Sequence, residues 1–295
     1  FAFFACESLS GIQIPDSVYS IGVGAFSNSL NGPKGMTDIV FGSGLRTIGN
    51  SCFEESRYLA TAILPDNLEQ VGNSAFNNCN LSGHIEIPDS VYYVGTSAYQ
   101  SNDDLKGVTF SSSMDTIYNN CFQNCISLTG LDIPSNIINI NQSAFSSCSS
   151  LSGINFSEGL ETIGTSAFTQ CDSLPVVSFP LSLNSLGSAS FSSCDVLSEV
   201  NLNEGLLSID SSAFSSCSLL SGVSYPQTLE SVGNSCFSFC ISLEYVQFNT
   251  NPSFDTISNS CFYNCTSLKE LNIPDNITNI EPSICYNCDS LSGLD

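Results

Sequence analysis

Fifteen cysteines are the most reactive side chains in this 295-residue sequence, and their spacing is regular. Cys125, Cys148, Cys171, Cys194, Cys217 and Cys240 recur at intervals of 23 residues, Cys265 follows after 25 and Cys288 after another 23. The same phase runs back through Asn102, Cys79 and Ser56, then by a longer step of 27 to Ser29, and on to Cys6. Cys52, Cys121, Cys236 and Cys261 each precede a phenylalanine, and Cys285 stands in place of one. Thiols in such a ladder, exchangeable with Ser or Asn, read as small buried core residues. The competing chemistry is disulfide formation in an oxidising compartment, between neighbouring repeats or within Cys121/Cys125, Cys236/Cys240 and Cys261/Cys265. An odd total leaves at least one thiol without a partner in the chain. No metal site is expected, because there is no double Cys-x-x-Cys arrangement and only one histidine.

That histidine, His84, is the one imidazole able to activate a hydroxyl or thiol, and the pattern gives it no carboxylate partner. Triad and Cys–His chemistry are therefore not expected, and the chain reads as non-enzymatic. Carboxylates repeat on neighbouring units: Asp66 and Asp89 after proline, Asp172 and Asp195 after cysteine. Such pairs ~5 Å apart repel by roughly 0.8 kcal/mol in water. A bound Ca²⁺ would relieve this; a solvated acidic edge is the simpler reading, and no other cofactor is implied. With 28 acidic against 5 basic residues, the net charge of −23 excludes nucleic acid and anionic membrane surfaces as partners. No apolar run approaches the ~18 residues that a spanning helix needs, so no membrane insertion is expected in this segment. Phe1 to Cys6 does not read as a signal peptide. Mean hydropathy is +0.15 and the apolar residues are periodic, which argues against disorder.

What must position these residues is a repeat. Leu128, Leu131, Ile133, Ile137, Ile140, Ala144, Phe145 and Cys148 recur as Leu151, Ile154, Phe156, Leu160, Ile163, Ala167, Phe168 and Cys171. Leu-x-x-Leu-x-Ile ends with period two, which makes a short strand with one face inward. Pro134 and its equivalents Pro15, Pro65, Pro88, Pro226 and Pro274 stop that strand, since proline has no ladder donor. The return segment is too short for a regular helix and is expected to be extended or turn-like. The Ala-Phe pair drives a ring inward, with a small neighbour leaving room for it. No single coil buries its own apolar face; stacking at ~4.8 Å makes a parallel sheet and a continuous core. The expected fold is a repeat solenoid of about 12–13 coils of 23 residues, on the order of 60 Å long at that spacing. It would be a single array over residues 1–295 with a parallel β-sheet on one face and turns or extended segments on the other. Extra residues at Leu30 to Gly35 and at Thr250 to Ser253 predict bulging loops.

The phrases Ile14-Pro-Asp-Ser-Val-Tyr-Ser-Ile-Gly, Ile87-Pro-Asp-Ser-Val-Tyr-Tyr-Val-Gly and Ser143-Ala-Phe-Ser-Ser-Cys-Ser-Ser-Leu resemble the BspA-like, or Treponema-type, branch of the leucine-rich-repeat family. The resemblance covers nearly the whole chain. It implies an extracellular or cell-surface protein, structural or adhesive, with no shared catalytic residues. Low lysine content and dense cysteine set this chain apart from common members.

A function of that kind would use the outward strand positions. They read Gln13, Glu86, Thr109, Asp132, Asn155, Ser178, Asn201, Ser224, Gln247 and Asn272, joined by Tyr245 from the neighbouring column, and form a candidate binding strip for a protein or glycan. The strip is small and polar, poor in the aromatic and arginine anchors typical of interfaces, with Tyr245 the exception. Candidate N-glycosylation sequons begin at Asn80, Asn141, Asn155, Asn264 and Asn276. Neither end carries a polar capping repeat, so the array reads as open, either part of a longer one or a subunit that joins head-to-tail. Phe1, Phe3, Phe4, Leu291 and Leu294 are the candidate end-to-end contacts. The alternatives to a surface binding protein are therefore an extracellular fibre subunit and an intracellular interaction scaffold.

Overall fold

The computed structural model describes residues 2–4, 6, 9, 11–27 and 37–293. The expected bulge at Leu30 to Gly35, and Phe1 and Leu294 of the candidate end contacts, lie outside the described residues.

The chain winds as a solenoid with three sides and, among the described residues, no helix. The front sheet is a run of parallel strands, hydrogen-bonded in sets of two or three, that pairs residues one repeat apart: Gly130–Ile133 lies on Gly153–Phe156 with Leu131 opposite Ile154 and Asp132 opposite Asn155. A side ladder is built from two-residue strands such as Asn139–Ile140 and Thr162–Ile163, again parallel and in register. The front strands run from Ile12–Gln13 to Tyr245–Gln247 and give about eleven turns. Beyond them the front sheet continues as the isolated bridges Tyr245–Glu270 and Glu270–Gly293, so the sequence count of 12–13 includes weakly paired coils.

The third side explains the wealth of Ser and Asn. Ser143 and Ser147 flank the Ala144-Phe145 pair and both have left-handed backbones (φ 54° and 61°), and the same pair of positions recurs as Ser166 and Gln170, Ser212 and Ser216. A left-handed L-residue costs about 1–2 kcal/mol, least for short polar side chains. The bends aim alternate N–H groups along the solenoid axis. Ser143, Phe145 and Ser147 donate to the carbonyls of Thr165, Ala167 and Thr169 in the next turn at 2.9, 2.8 and 2.7 Å. The turn side thus carries its own ladder, and backbone groups that a loop would leave to water are paired.

Inside, the rings that follow the small residue stack in one column. Twelve aromatic residues from Phe3 to Phe262, with Tyr99 among them, lie with neighbouring centroids 5.0–6.0 Å apart and planes within 16° of parallel. This offset stacking adds to the burial of each ring. Most rings at the end of the front strands meet the column edge-on, as Phe110 meets Phe122 at 5.9 Å and 90°, while Tyr225 lies nearer parallel to Phe237 at 29°. At Thr250 to Ser253 the two extra residues loop outward. Asn249 pins the loop by donating to the carbonyls of Pro226 at 2.8 Å and Leu229 at 3.0 Å, and Phe254 enters the core.

All fifteen cysteines are free, twelve of them buried. The ladder thiols are more than fillers. From Cys79 onward each donates to the carbonyl of the column aromatic in the preceding turn: Cys125 to Tyr99, Cys148 to Phe122, Cys194 to Phe168, at 3.2–3.3 Å. Ser56 and Asn102, at the same phase, make the same bond to Phe26 and Phe76. Disulfides within Cys121/Cys125, Cys236/Cys240 and Cys261/Cys265 are not formed. Burial pushes the thiols of Cys52, Cys125, Cys194 and Cys261 up to about 12 from an ordinary value near 9, which leaves them inert as nucleophiles.

Candidate ligand-binding face

Alternation along each front strand turns one set of side chains outward. Gln13, Glu86, Thr109, Asp132, Asn155, Ser178, Asn201, Ser224, Tyr245, Gln247 and Asn272 are all exposed and lie on this one face. Register makes many of them neighbours, and several bond to each other: Asn155 to Asp132 at 2.6 Å, Asn201 to Ser178 at 3.1 Å, Ser224 to Gln247 at 3.3 Å. These bonds fix the side chains in a polar row along the solenoid axis.

Beside the row runs a second outward column, and its shape is set by glycine. Gly107, Gly130 and Gly153 follow one another on three successive strands, so the backbone itself forms the floor of a trough. A side chain added at Gly153 would meet nothing within 4 Å, and at Gly130 only the Gly153 carbonyl at 3.9 Å. The floor is therefore open to a ligand, as glycine permits wherever another group must come close to a strand. His84 closes one end. Its ring lies over Gly107, where an added Cβ would sit 2.6 Å from Nδ1, and its Nε2 is 2.7 Å from the Thr109 hydroxyl. The walls are Thr109, Asp132 and Asn155 on one side and Lys106 and Thr129 on the other, around a hollow of about 620 Å³. The geometry around His84 is that of a wall residue, with a threonine hydroxyl on one nitrogen and a glycine under the other.

Lys106 is the feature that sequence reasoning missed. Arg46, Arg57 and Lys269 are engaged in ion pairs with Glu69, Glu55 and Glu244. Lys106 makes none among the described residues and is exposed at the trough. In a chain with five basic residues its position is the signal that could have found it.

Further along, Tyr245 lies flat over Gly222, where an added Cβ would be 2.2 Å from the ring, and lines a second hollow of about 410 Å³ with Glu199, Asn201 and Ser224. Val40 and Ile63, register partners on the same face, are 53% and 83% exposed and add an apolar patch that the polar strip omitted.

The remaining candidates are dispersed. Asn155 is the one sequon residue on the front face; Asn80, Asn141, Asn264 and Asn276 are half-buried elsewhere. The Asn276 amide donates to the carbonyls of Asn251 and Phe254 at 3.0 and 2.6 Å, a locked position. Phe3 and Phe4 are about half exposed, Phe3 stacking on Phe26 at 5.0 Å, and Leu291 packs against the core. Asp89 accepts from the N–H and hydroxyl of Ser112 at 3.0 and 2.8 Å, which holds its carboxyl below the usual range. Burial, and then Asp195, raises Asp172. Among the described residues no group of three or more His, Cys, Asp or Glu side chains is arranged to hold a metal. Nor, among them, is any helix long and apolar enough to cross a membrane.

Comparison with known proteins places this geometry. A leucine-rich repeat protein from Bacteroides ovatus is 26% identical, with a TM-score of 0.84 over 99% of this chain and 80% of that one. The pneumococcal vaccine antigen PcpA, 21% identical, shares the fold with a TM-score of 0.62 over 98% of this chain and 83% of its own. A leucine-rich repeat protein from Eubacterium ventriosum does so with 18% identity and a TM-score of 0.59 over 88% and 72%. None of the curated proteins matches the chain. A model of the BspA type leucine rich repeat region matches residues 1–105, 31–151, 71–198 and 184–295, which together span the sequence, so the chain belongs to the BspA-type leucine-rich-repeat family.

Proposed function

We propose that the chain is a non-catalytic binding protein of a cell surface or extracellular space, adhesive in type, that lays an extended protein or glycan ligand along its front sheet. The observation that carries this reading is the glycine floor of Gly107, Gly130 and Gly153 between two polar walls. A ligand placed there packs directly on the glycine backbone and beside fixed side chains, and it displaces water from a preformed concavity. Family membership supports a binding role over catalysis. The buried thiols favour no compartment, since shielding keeps them reduced in oxidising surroundings as well.

The test uses two variants that leave the fold alone. A Cβ at Gly130 or Gly153 meets no close contact, and tyrosine suits a strand. Labelled wild-type chain, Gly130→Tyr and Gly153→Tyr are compared on a glycan array and on immobilised extracellular-matrix proteins. Both variants should keep the wild-type melting curve and lose at least tenfold in affinity for whatever the wild type binds. Undiminished binding by both would overturn the assignment to this trough.

A further inference from the structure

The side ladder carries a second concavity that the strip does not include. On this side a glycine column, Gly49, Gly72 and Gly95, packs backbone against backbone: an added Cβ would fall 2.8 Å or less from the preceding turn at all three. At the next turn the position is Tyr118, and its ring must project outward. It leans on Tyr93 with centroids 5.2 Å apart and planes tilted by 59°, so the two rings form adjoining walls. Tyr92 supplies a third ring, 52% exposed. The three tyrosines, with Gln70, Ser113 and Asp115, line a hollow of about 580 Å³.

The polar groups of this hollow differ in one respect. Tyr93 donates its hydroxyl to Asn73 at 3.0 Å, Gln70 donates to the Tyr92 hydroxyl, and Ser113 donates to the Asp89 carbonyl at 2.6 Å. The Asp115 carboxylate and the Tyr118 hydroxyl have no hydrogen bond or ion pair among the described residues, and of the two only the carboxylate is charged. The nearest arginine along this ladder, Arg46, is engaged with Glu69 at 3.5 Å. An uncompensated carboxylate among fixed aromatic faces, on a chain of net charge −23, is complementary to a cation. A guanidinium fits better than an ammonium. It is planar, stacks on a ring and offers a carboxylate two parallel N–H donors.

We propose that Tyr92, Tyr93, Tyr118 and Asp115 form a receptor for an arginine side chain presented by a basic segment of a partner protein. The guanidinium lies against a tyrosine face with its edge toward the Asp115 carboxylate. The site stands on a different side of the solenoid from the glycine trough and binds independently of it.

The full chain is titrated with fluorescein-labelled nona-arginine and nona-lysine peptides at physiological salt, and the same chain is applied to a neutral glycan array. Tyr92→Ser removes a ring without changing charge, at a surface register position where other turns carry Glu69 and Ile138. Asp115→Asn removes the anion, and Asp172→Asn is the matched charge control at an exposed residue elsewhere. Nona-arginine should bind more tightly than nona-lysine. Its affinity should fall at least tenfold with either Tyr92→Ser or Asp115→Asn and stay within about twofold with Asp172→Asn. Three outcomes would overturn the proposal: unchanged affinity in Tyr92→Ser, an equal loss in Asp172→Asn (bulk charge only), or ring-dependent capture of a neutral glycan instead of the peptide.

Discussion

Asn102 donates its amide N–H to the carbonyl of Phe76 at 2.9 Å, the bond that Cys125 makes with Tyr99 through its thiol at 3.3 Å. Cys, Ser and Asn exchange at this position because each brings a donor as well as a small volume. Removing the donor from a buried pair costs more than changing its chemistry. Cys148→Ala should therefore lower stability by about 1–2 kcal/mol, combining the lost bond with a small cavity, while Cys148→Ser should lose less. Urea unfolding of the two variants measures the order.

The Tyr99 hydroxyl sits buried in the aromatic column with no hydrogen-bond partner among the described residues. A buried hydroxyl left unpaired is a penalty that the phenylalanines of neighbouring turns do not carry. Tyr99→Phe should raise stability by about 1 kcal/mol, whereas Phe168→Ala, which opens a void in the column, should lower it by about 3–5 kcal/mol. Calorimetry or denaturant unfolding of both variants shows whether the signs are opposite.

The buried thiols make stability fall in alkali. In the unfolded chain they ionise near 9, while in the fold burial holds Cys52, Cys125, Cys194 and Cys261 protonated up to about 12. Above pH 9 the folded state binds more protons than the unfolded state, so the stability present below pH 9 is lost as the pH rises toward 12. The same shielding predicts that iodoacetamide at pH 8 labels Cys6 and Cys288 in the native chain and spares the twelve buried thiols, with Cys285 held protonated by its hydrogen bond to Cys288 and by burial. Mass spectrometry of the labelled protein counts them.

A glycine of the turn that follows a front strand and a glycine of the front sheet should respond differently to a methyl group. At Gly205 an added Cβ would lie 1.9 Å from the Leu181 carbonyl oxygen, and Gly205→Ala should cost about 1–3 kcal/mol through forced separation of two turns. At Gly153 nothing lies within 4 Å, and Gly153→Ala should be neutral or stabilise by up to about 1 kcal/mol by restricting the unfolded chain. Parallel thermal melts decide between them.

The coil, its length and its inward residues were legible because burial repeats with the chain: Phe145, Phe168 and Phe214 come at one phase, and only stacking lets them shield one another. The outward strip was legible for the same reason, since strand alternation assigns faces. What the sequence withheld depends on contacts between turns. The donor role of the cysteines needed the carbonyl of a residue 26 positions earlier, although Ser56 and Asn102 in the ladder were its trace. The trough came from three glycines in adjacent turns, each ordinary alone. The tyrosine hollow joins Tyr92 and Tyr93 of one turn to Tyr118 of the next, and the trace was a tyrosine in a glycine column. At Asn276 the sequon pattern says nothing of the two carbonyls that hold its amide.

Side chains 23 positions apart are nearest neighbours on successive turns, and a cross-link reads this directly. Asp132 and Asn155 are register partners on the front face and both are exposed. Adjacent parallel strands bring such Cα atoms about 5 Å apart, within disulfide reach. The double variant Asp132→Cys, Asn155→Cys should close a 132–155 disulfide on mild oxidation, while Asp132→Cys with Ser178→Cys, two turns apart, should not. Closure of the second pair, or failure of the first with linkage to some other residue, would mean that successive turns do not stack in a 23-residue register.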